Sequence, residues 1–182
     1  METFDSIVNN RRSVRKYQAK KVDRDVITQC VEAARMAPSA ENVQPWRFIV
    51  IDDEDVKHEF CKSAFSGIYS YMKWAEKAPV IVVLVAKLDV LANRIGKQIQ
   101  GTNYYLLDMG ISGEHFVLKA HELGIGTCWI GWFHAKKTRK FFKLPPGHKA
   151  VSLISMGYPE KPVTRERELR QLNEILYFNK YR

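Results

Sequence analysis

The run Arg11-Arg12-Ser13-Val14-Arg15-Lys16-Tyr17 crowds cationic donors beside hydroxyl groups. Guanidinium forks match phosphate oxygens in pairs, and a serine hydroxyl or a free backbone N–H takes the remaining lone pairs. The chemistry on offer is anion binding, although a short basic run taken alone is more often a solvated face. A second run, Ala37-Pro38-Ser39-Ala40-Glu41-Asn42-Val43-Gln44-Pro45-Trp46, sets small and amide residues between two prolines and reads as an ordered loop. Asn42 and Gln44 both donate and accept hydrogen bonds and suit a ring edge where carbonyls and nitrogens alternate; Ser39 suits a phosphate or sugar hydroxyl. The bland reading is that Ser39 and Asn42 cap a turn. In a third run, Gly124-Ile125-Gly126-Thr127-Cys128-Trp129-Ile130-Gly131-Trp132-Phe133, Gly124 ends a helix, a short strand follows, and Gly126 and Gly131 let backbone come near something flat. It is not a Gly-x-Gly-x-x-Gly fingerprint, because it follows a helix instead of opening one. Cys128 has no basic partner at a telling position and is read as structural.

The elements that position these runs follow from periodicity. Phe4, Ile7 and Val8 are spaced for a short helix, with Asp5 and Ser6 as its caps, and the basic run follows that helix's end. From Asp23, whose side chain suits a cap, Val26, Ile27, Cys30, Val31, Ala34 and Met36 form a helical stripe that stops at Pro38. Arg47–Asp52 reads as a buried strand, and Asp53–Tyr71 as mostly helical with Val56, Phe60, Ala64 and Ile68 near one face. Ala78–Ala86 is an unbroken β-branched run, as expected of a central strand covered on both faces. From Lys87 to Gly101 the pattern weakens into a loop or short helix. A long buried helix then runs from Thr102 to Leu123, its Gly110 and Gly113 suggesting close approach of another helix, the favoured reason, or of a ligand. Ala150–Met156 alternates like a strand and ends at Gly157-Tyr158-Pro159. The charged tail gives way to Leu172, Ile175, Leu176, Tyr177 and Phe178, an apolar segment that should pack on a partner subunit.

Composition sets the outer bounds. A chain of 182 residues that is 46% hydrophobic buries a large core, and no repeat or linker divides it, so residues 1–182 are expected to form a single domain. The net charge of +9 attracts something anionic without saying what. Cys30, Cys61 and Cys128 have no zinc spacing and are read as reduced thiols, with no metal expected. The start of the chain lacks the features of a signal peptide, and no apolar run approaches the ~20 residues of a membrane span. A cytoplasmic location without membrane contact is the expectation.

Taken together, in this order and spacing, the three runs, Gly157-Tyr158-Pro159 and the basic tail resemble the nitroreductase family of FMN-dependent oxidoreductases over nearly the whole chain. The resemblance implies an α+β fold with a mixed central sheet flanked by helices, and an intertwined homodimer with FMN at the subunit interface. It further implies that Arg11, Ser13 and Arg15 contact the phosphate and ribityl chain, and that Arg12 makes a backbone or pyrimidine-edge contact. Pro38, Ser39, Asn42 and Gln44 correspond to positions that approach the flavin from the other subunit. Trp129, Ile130 and Gly131 correspond to the backbone beside its N5. The resemblance also implies late basic phosphate contacts, here assigned to Arg167 and Arg170, with Arg165 the alternative register. No catalytic side chain is implied, because the flavin carries the chemistry. NADH or NADPH would deliver reducing equivalents, and a small electron-poor acceptor, a nitroaromatic or quinone, would take them in a ping-pong cycle.

Two other readings stand beside this one. A flavoenzyme of the same fold could perform dehalogenation, or flavin chemistry without nicotinamide. A basic nucleic-acid-binding protein would also carry surplus charge and stacking aromatics. Against it, the aromatics lie within apolar runs and the basic residues do not form one long stripe, so no nucleic-acid partner is expected.

Overall fold

A computed structural model describes residues 3–88, 101–163 and 167–181. Helix α1 (Phe4–Asn10) is capped by the Thr3 hydroxyl, which accepts from the Ser6 N–H, so the cap lies ahead of Asp5 and Ser6. Helix α2 (Arg24–Arg35) buries Ile27, Cys30 and Ala34, and Asp23 occupies its N-cap position without a side-chain cap bond. Strand β1 (Trp46–Ile51), helix α3 (Glu54–Ala64) and a 3-10 helix (Gly67–Lys77) follow, then strand β2 (Val80–Lys87). The helical pattern expected over Asp53–Tyr71 therefore breaks near Phe65 and Ser66, where Gly67 takes φ +60°. That break turns Ile68 away from the buried face of Phe60 and Ala64, and leaves it exposed.

Helix α4 (Tyr104–Glu122), strand β3 (Gly126–Ile130), helix α5 (Ala135–Phe141) and strand β4 (His148–Gly157) complete the regular elements. The strands pair antiparallel in the order β1-β2-β4-β3, and the Arg11 run adds a parallel bridge, Ser13 to Thr127, on the free side of β3.

The sheet has two covered faces because β2 is apolar at every position from Val80 to Ala86. Val80, Val82, Leu84 and Ala86 meet α2 and α4 on one face; Ile81, Val83 and Val85 meet α3 and the aromatic end of α5 on the other. Side chains alternate across a strand, so an unbroken apolar run fills both layers. Each fully buried Val, Ile or Leu favours this state by about 1.5–3 kcal/mol relative to exposure. In β4 the expected in–out alternation is absent: Ser152 and Ser155 are buried and bond to the Ile130 and Cys128 carbonyls.

Gly113 serves a closer purpose than helix packing. A Cβ there would lie 2.1 Å from the Trp129 indole and 3.0 Å from a Leu84 methyl, so the missing side chain is the notch that seats Trp129. Gly110 faces open space instead. Gly113→Ala is expected to expel the indole and destabilise the fold by about 1–3 kcal/mol, as overpacking does; the denaturant midpoint and tryptophan emission would both report it.

Candidate functional site

The Arg11–Tyr17 run is neither helix nor turn. It extends along β3, with Val14 N–H donating to the Thr127 carbonyl (2.9 Å), Gln18 N–H to Tyr158 (2.9 Å), and Glu160 N–H to the Lys16 carbonyl (3.1 Å). Alternate residues of an extended chain share a side. Arg11, Ser13 and Arg15 accordingly converge on the Cys128 thiol. Burial pushes that thiol's pKa up, and the two guanidinium groups and the Ser13 hydroxyl oppose the shift. The net direction is upward and the thiol is buried, so Cys128 stays protonated and inert, as expected from sequence. Cys30 and Cys61 are likewise buried, their thiols pushed up to about 12.

Among the described residues, Arg11 and Arg15 make few polar contacts. Arg11 makes one long ion pair, 3.7 Å to Glu114, whose other oxygen accepts from the Trp129 indole N–H at 3.3 Å. Arg15 lies over the Trp74 ring, 5.8 Å from its centroid. Arg12 differs, since it donates to the carbonyls of Asn9 and Arg11 and stabilises the turn out of α1. Beside Arg15 opens a groove of about 450 Å³, walled by Cys128, Trp129, Ile130 and Gly131 on one side and by Tyr71, Trp74 and Trp132 on the other. Its size falls within the ~300–1,000 Å³ of cofactor pockets.

The Pro38–Gln44 loop does not reach this groove within one chain. It docks on α4, where buried Asp108 accepts the Ala40 N–H at 3.0 Å, and it forms no hydrogen bond with Arg11, Ser13, Arg15 or Trp129–Gly131 among the described residues. Its side chains satisfy each other: Ser39 accepts the Gln44 N–H, and Asn42 accepts from the Gln44 amide. Glu41, Asn42 and Gln44 all take φ near +50°, at 52°, 55° and 48°. Left-handed backbone at three side-chain-bearing positions costs on the order of 1 kcal/mol or more each, and such strain concentrates at ligand clamps.

In the tail, Arg167 donates to the Val8 carbonyl of α1 (3.0 Å), and Arg170 is exposed without a polar contact among the described residues. Arg165 and residues 89–100 lie outside the described residues, and with them most of the Lys87–Gly101 stretch expected to be a loop or short helix. Sequence reasoning missed Asp108, Glu114 and Trp74. A carboxylate among α4's apolar positions at Asp108 was the available signal, while Glu114 and Trp74 carried none.

A family model described as the nitroreductase family matches residues 8–158. The chain is 30% identical to an NADH dehydrogenase of Thermus thermophilus, over 82% of this chain and 83% of that one. It is 40% identical to iodotyrosine deiodinase 1 of Mus musculus, over 90% of this chain and 64% of that one. An FMN-dependent nitroreductase from Clostridium difficile R20291 superposes with a TM-score of 0.77 at 25% identity, over 98% of this chain and 100% of that one.

Burial raises the Asp108 pKa from its ordinary value of 3.8, the Ala40 N–H opposing this. A carboxyl raised on folding contributes stability that is full below its unfolded pKa and is lost as pH rises through the folded one. Asp108→Asn keeps an acceptor for Ala40 and carries no charge to desolvate. The variant is therefore expected to be more stable than wild type at neutral pH, with the difference closing as pH falls toward 4; denaturation midpoints across pH would check this.

Proposed function

Because the chain belongs to the nitroreductase family, we propose that it is an FMN-dependent oxidoreductase that passes reducing equivalents from NAD(P)H to a small electron-poor acceptor. The observation that carries this reading is that Arg11, Ser13 and Arg15 all act on Cys128, which together with Arg15 lines a groove whose wall is the Trp129–Gly131 segment. The residues fit the cofactor. Uncommitted guanidinium groups suit a phosphate and a reduced ring's negative charge, and Gly131 has nothing within 4 Å of where its Cβ would stand. FMN supplies the hydride and electron chemistry when bound, which accords with the lack of an activated nucleophile at Cys128.

This chain's own part is to hold, orient and shield. Arg11 would exchange its long contact to Glu114 for phosphate oxygens, Ser13 would add a hydroxyl, and Arg15 would remain stacked on Trp74 at the groove's rim. Pro38, Ser39, Asn42 and Gln44 complete the site from a second copy. Pairing is supported by the exposed apolar stripe of α4, Leu106, Leu107 and Ile111 around open Gly110, and by the exposed tail residues Leu172, Ile175 and Phe178. Apolar surface of that extent favours burial against another subunit. Arg167 and Arg170 would then supply late cationic contacts. NADH or NADPH and the acceptor would occupy the same groove in turn. The deiodinase relative favours a second reading, reductive dehalogenation of an aromatic substrate in the same groove.

Purified protein is expected to bind FMN and turn yellow, and Arg11→Ala or Arg15→Ala to weaken FMN about tenfold or more, roughly 1.4 kcal/mol, with unchanged circular dichroism. Fluorescence titration measures this; unchanged affinity in both variants contradicts the assignment. Steady-state rates with NADH and NADPH against nitroaromatic, quinone and iodinated phenol acceptors are expected to be highest for one of the first two classes. Turnover confined to the iodinated phenol would select the second reading.

A further inference from the structure

The surplus positive charge is not evenly spread. Between Glu122 and Glu160 the sequence has no acidic residue, yet Lys136, Lys137, Arg139, Lys140, Lys143 and Lys149 fall there, two-thirds of the net +9. The first five lie on or just past α5, all exposed, and none has a carboxylate partner among the described residues. Lys137 donates to the Ser66 hydroxyl (2.9 Å) and Arg139 weakly to the Leu144 carbonyl (3.5 Å). On the neighbouring α3, Glu54 and Glu59 are paired with Lys57 and Lys62, leaving Asp55 to offset the field.

This cationic face borders the candidate groove. The 66–69 segment that receives Lys137 also accepts the Trp132 indole N–H at the Ile68 carbonyl (3.1 Å), and Tyr69 packs on Trp132 with ring centroids 5.2 Å apart. Trp132 and Tyr71 line the groove and are 52% and 83% exposed, with Ile68 beside them at 73%. An aromatic and aliphatic centre flanked by unpaired cations has the anatomy of a protein–protein contact, in which the apolar centre holds and the charges steer. Charges strung along about 10 Å of exposed helix do not converge on one phosphate. Helix α5 lies across the sheet from α4, so pairing of copies through α4 leaves its cations open beside the groove.

We propose that α5 together with Trp132 and Ile68 is the docking face for an acidic one-electron carrier protein that exchanges electrons at the groove; this rests on the flavoprotein reading above. Each reduced carrier that docks gives up one electron and leaves oxidised. Two encounters, with two protons from solvent, supply the same equivalents as one hydride from NAD(P)H with one proton from solvent.

The test uses the full-length FMN-loaded protein, with a reduced acidic two-iron ferredoxin and a reduced acidic flavodoxin as probes in parallel, under anaerobic conditions. Calorimetry is expected to show binding of at least one carrier at low salt, weakened about tenfold or more by raised salt and by combined Lys136→Glu, Lys137→Glu, Arg139→Glu and Lys140→Glu. Flavin bleaching by that carrier is expected to slow in step, while bleaching by NAD(P)H and FMN affinity are unchanged. The milder Lys136→Gln with Lys140→Gln, which spares the helix, is expected to show a smaller loss in the same direction. Binding of neither carrier overturns the proposal. So does a variant that loses bleaching by NADPH yet keeps carrier binding, which assigns the face to the dinucleotide, or one that loses only duplex DNA binding. A protein that holds no FMN sinks the flavin reading, while calorimetry with the carriers still decides the docking face.

Discussion

The candidate site depends on one strip of main chain finding a strand edge. Arg11–Gln18 has no regular structure of its own; its Val14 and Gln18 amides donate to Thr127 and Tyr158, and its Lys16 carbonyl accepts from Glu160. Each such bond contributes only about 0.5–1.5 kcal/mol net, so side chains must fix the register. Val14 does this by filling the space over Gly126, where a Cβ would meet it at 2.7 Å. Tyr17 does it from the other end, its hydroxyl bonded to the Val14 carbonyl and within 2.8 Å of the Ser155 hydroxyl. Burial raises the Tyr17 pKa well above its usual value, so the phenol stays protonated and keeps its donor at any physiological pH. Because backbone and two uncharged side chains hold the strip, its cations need no ion pairs to hold their place.

The sheet divides the molecule's surfaces by chemistry. Where α4 packs, its outer side presents Leu106, Leu107 and Ile111; where α5 packs, its outer side presents lysines and an arginine. Helix α4 buries apolar residues against β2, and α5 packs on α3 and β4 with Phe141 against the opposite core, so the interior places no demand on what either shows outward. The arginine strip and the groove lie at the β3 margin, between an apolar surface and a cationic one.

Much of this was legible in the residues. The central β2 strand, the α2 stripe, the long α4 helix, the Gly124 stop and the inert Cys128 all follow from periodicity and turn chemistry, and the family follows from the three runs read jointly. What failed did so for physical reasons. Helix α5 leaves no periodic signal because its inward positions, Thr138 and Phe141, are too few to set a period among the lysines. The alternation in β4 misled because Ser152 and Ser155 hide their hydroxyls in bonds to β3, which no pattern of residue types reveals. The Arg11 run carries no signal for its extended shape, since that shape is imposed by an edge more than a hundred residues away in sequence. The donor and acceptor capacity of Asn42 and Gln44 suits a ring edge, but spacing does not reveal that within one chain they bond to each other.

The notch at Gly113 ties together residues that sequence keeps apart. Trp129 fills it, Glu114 beside it accepts from the same indole, and Glu114 also reaches Arg11. A lineage that enlarged Gly113 would have to shrink Trp129, and with the indole gone Glu114 would lose the donor that aims it. Arg11 would then meet a freer carboxylate and be drawn into a tighter pair. These four positions are thus one heritable unit, and descendants of this chain should exchange them together or leave them alone.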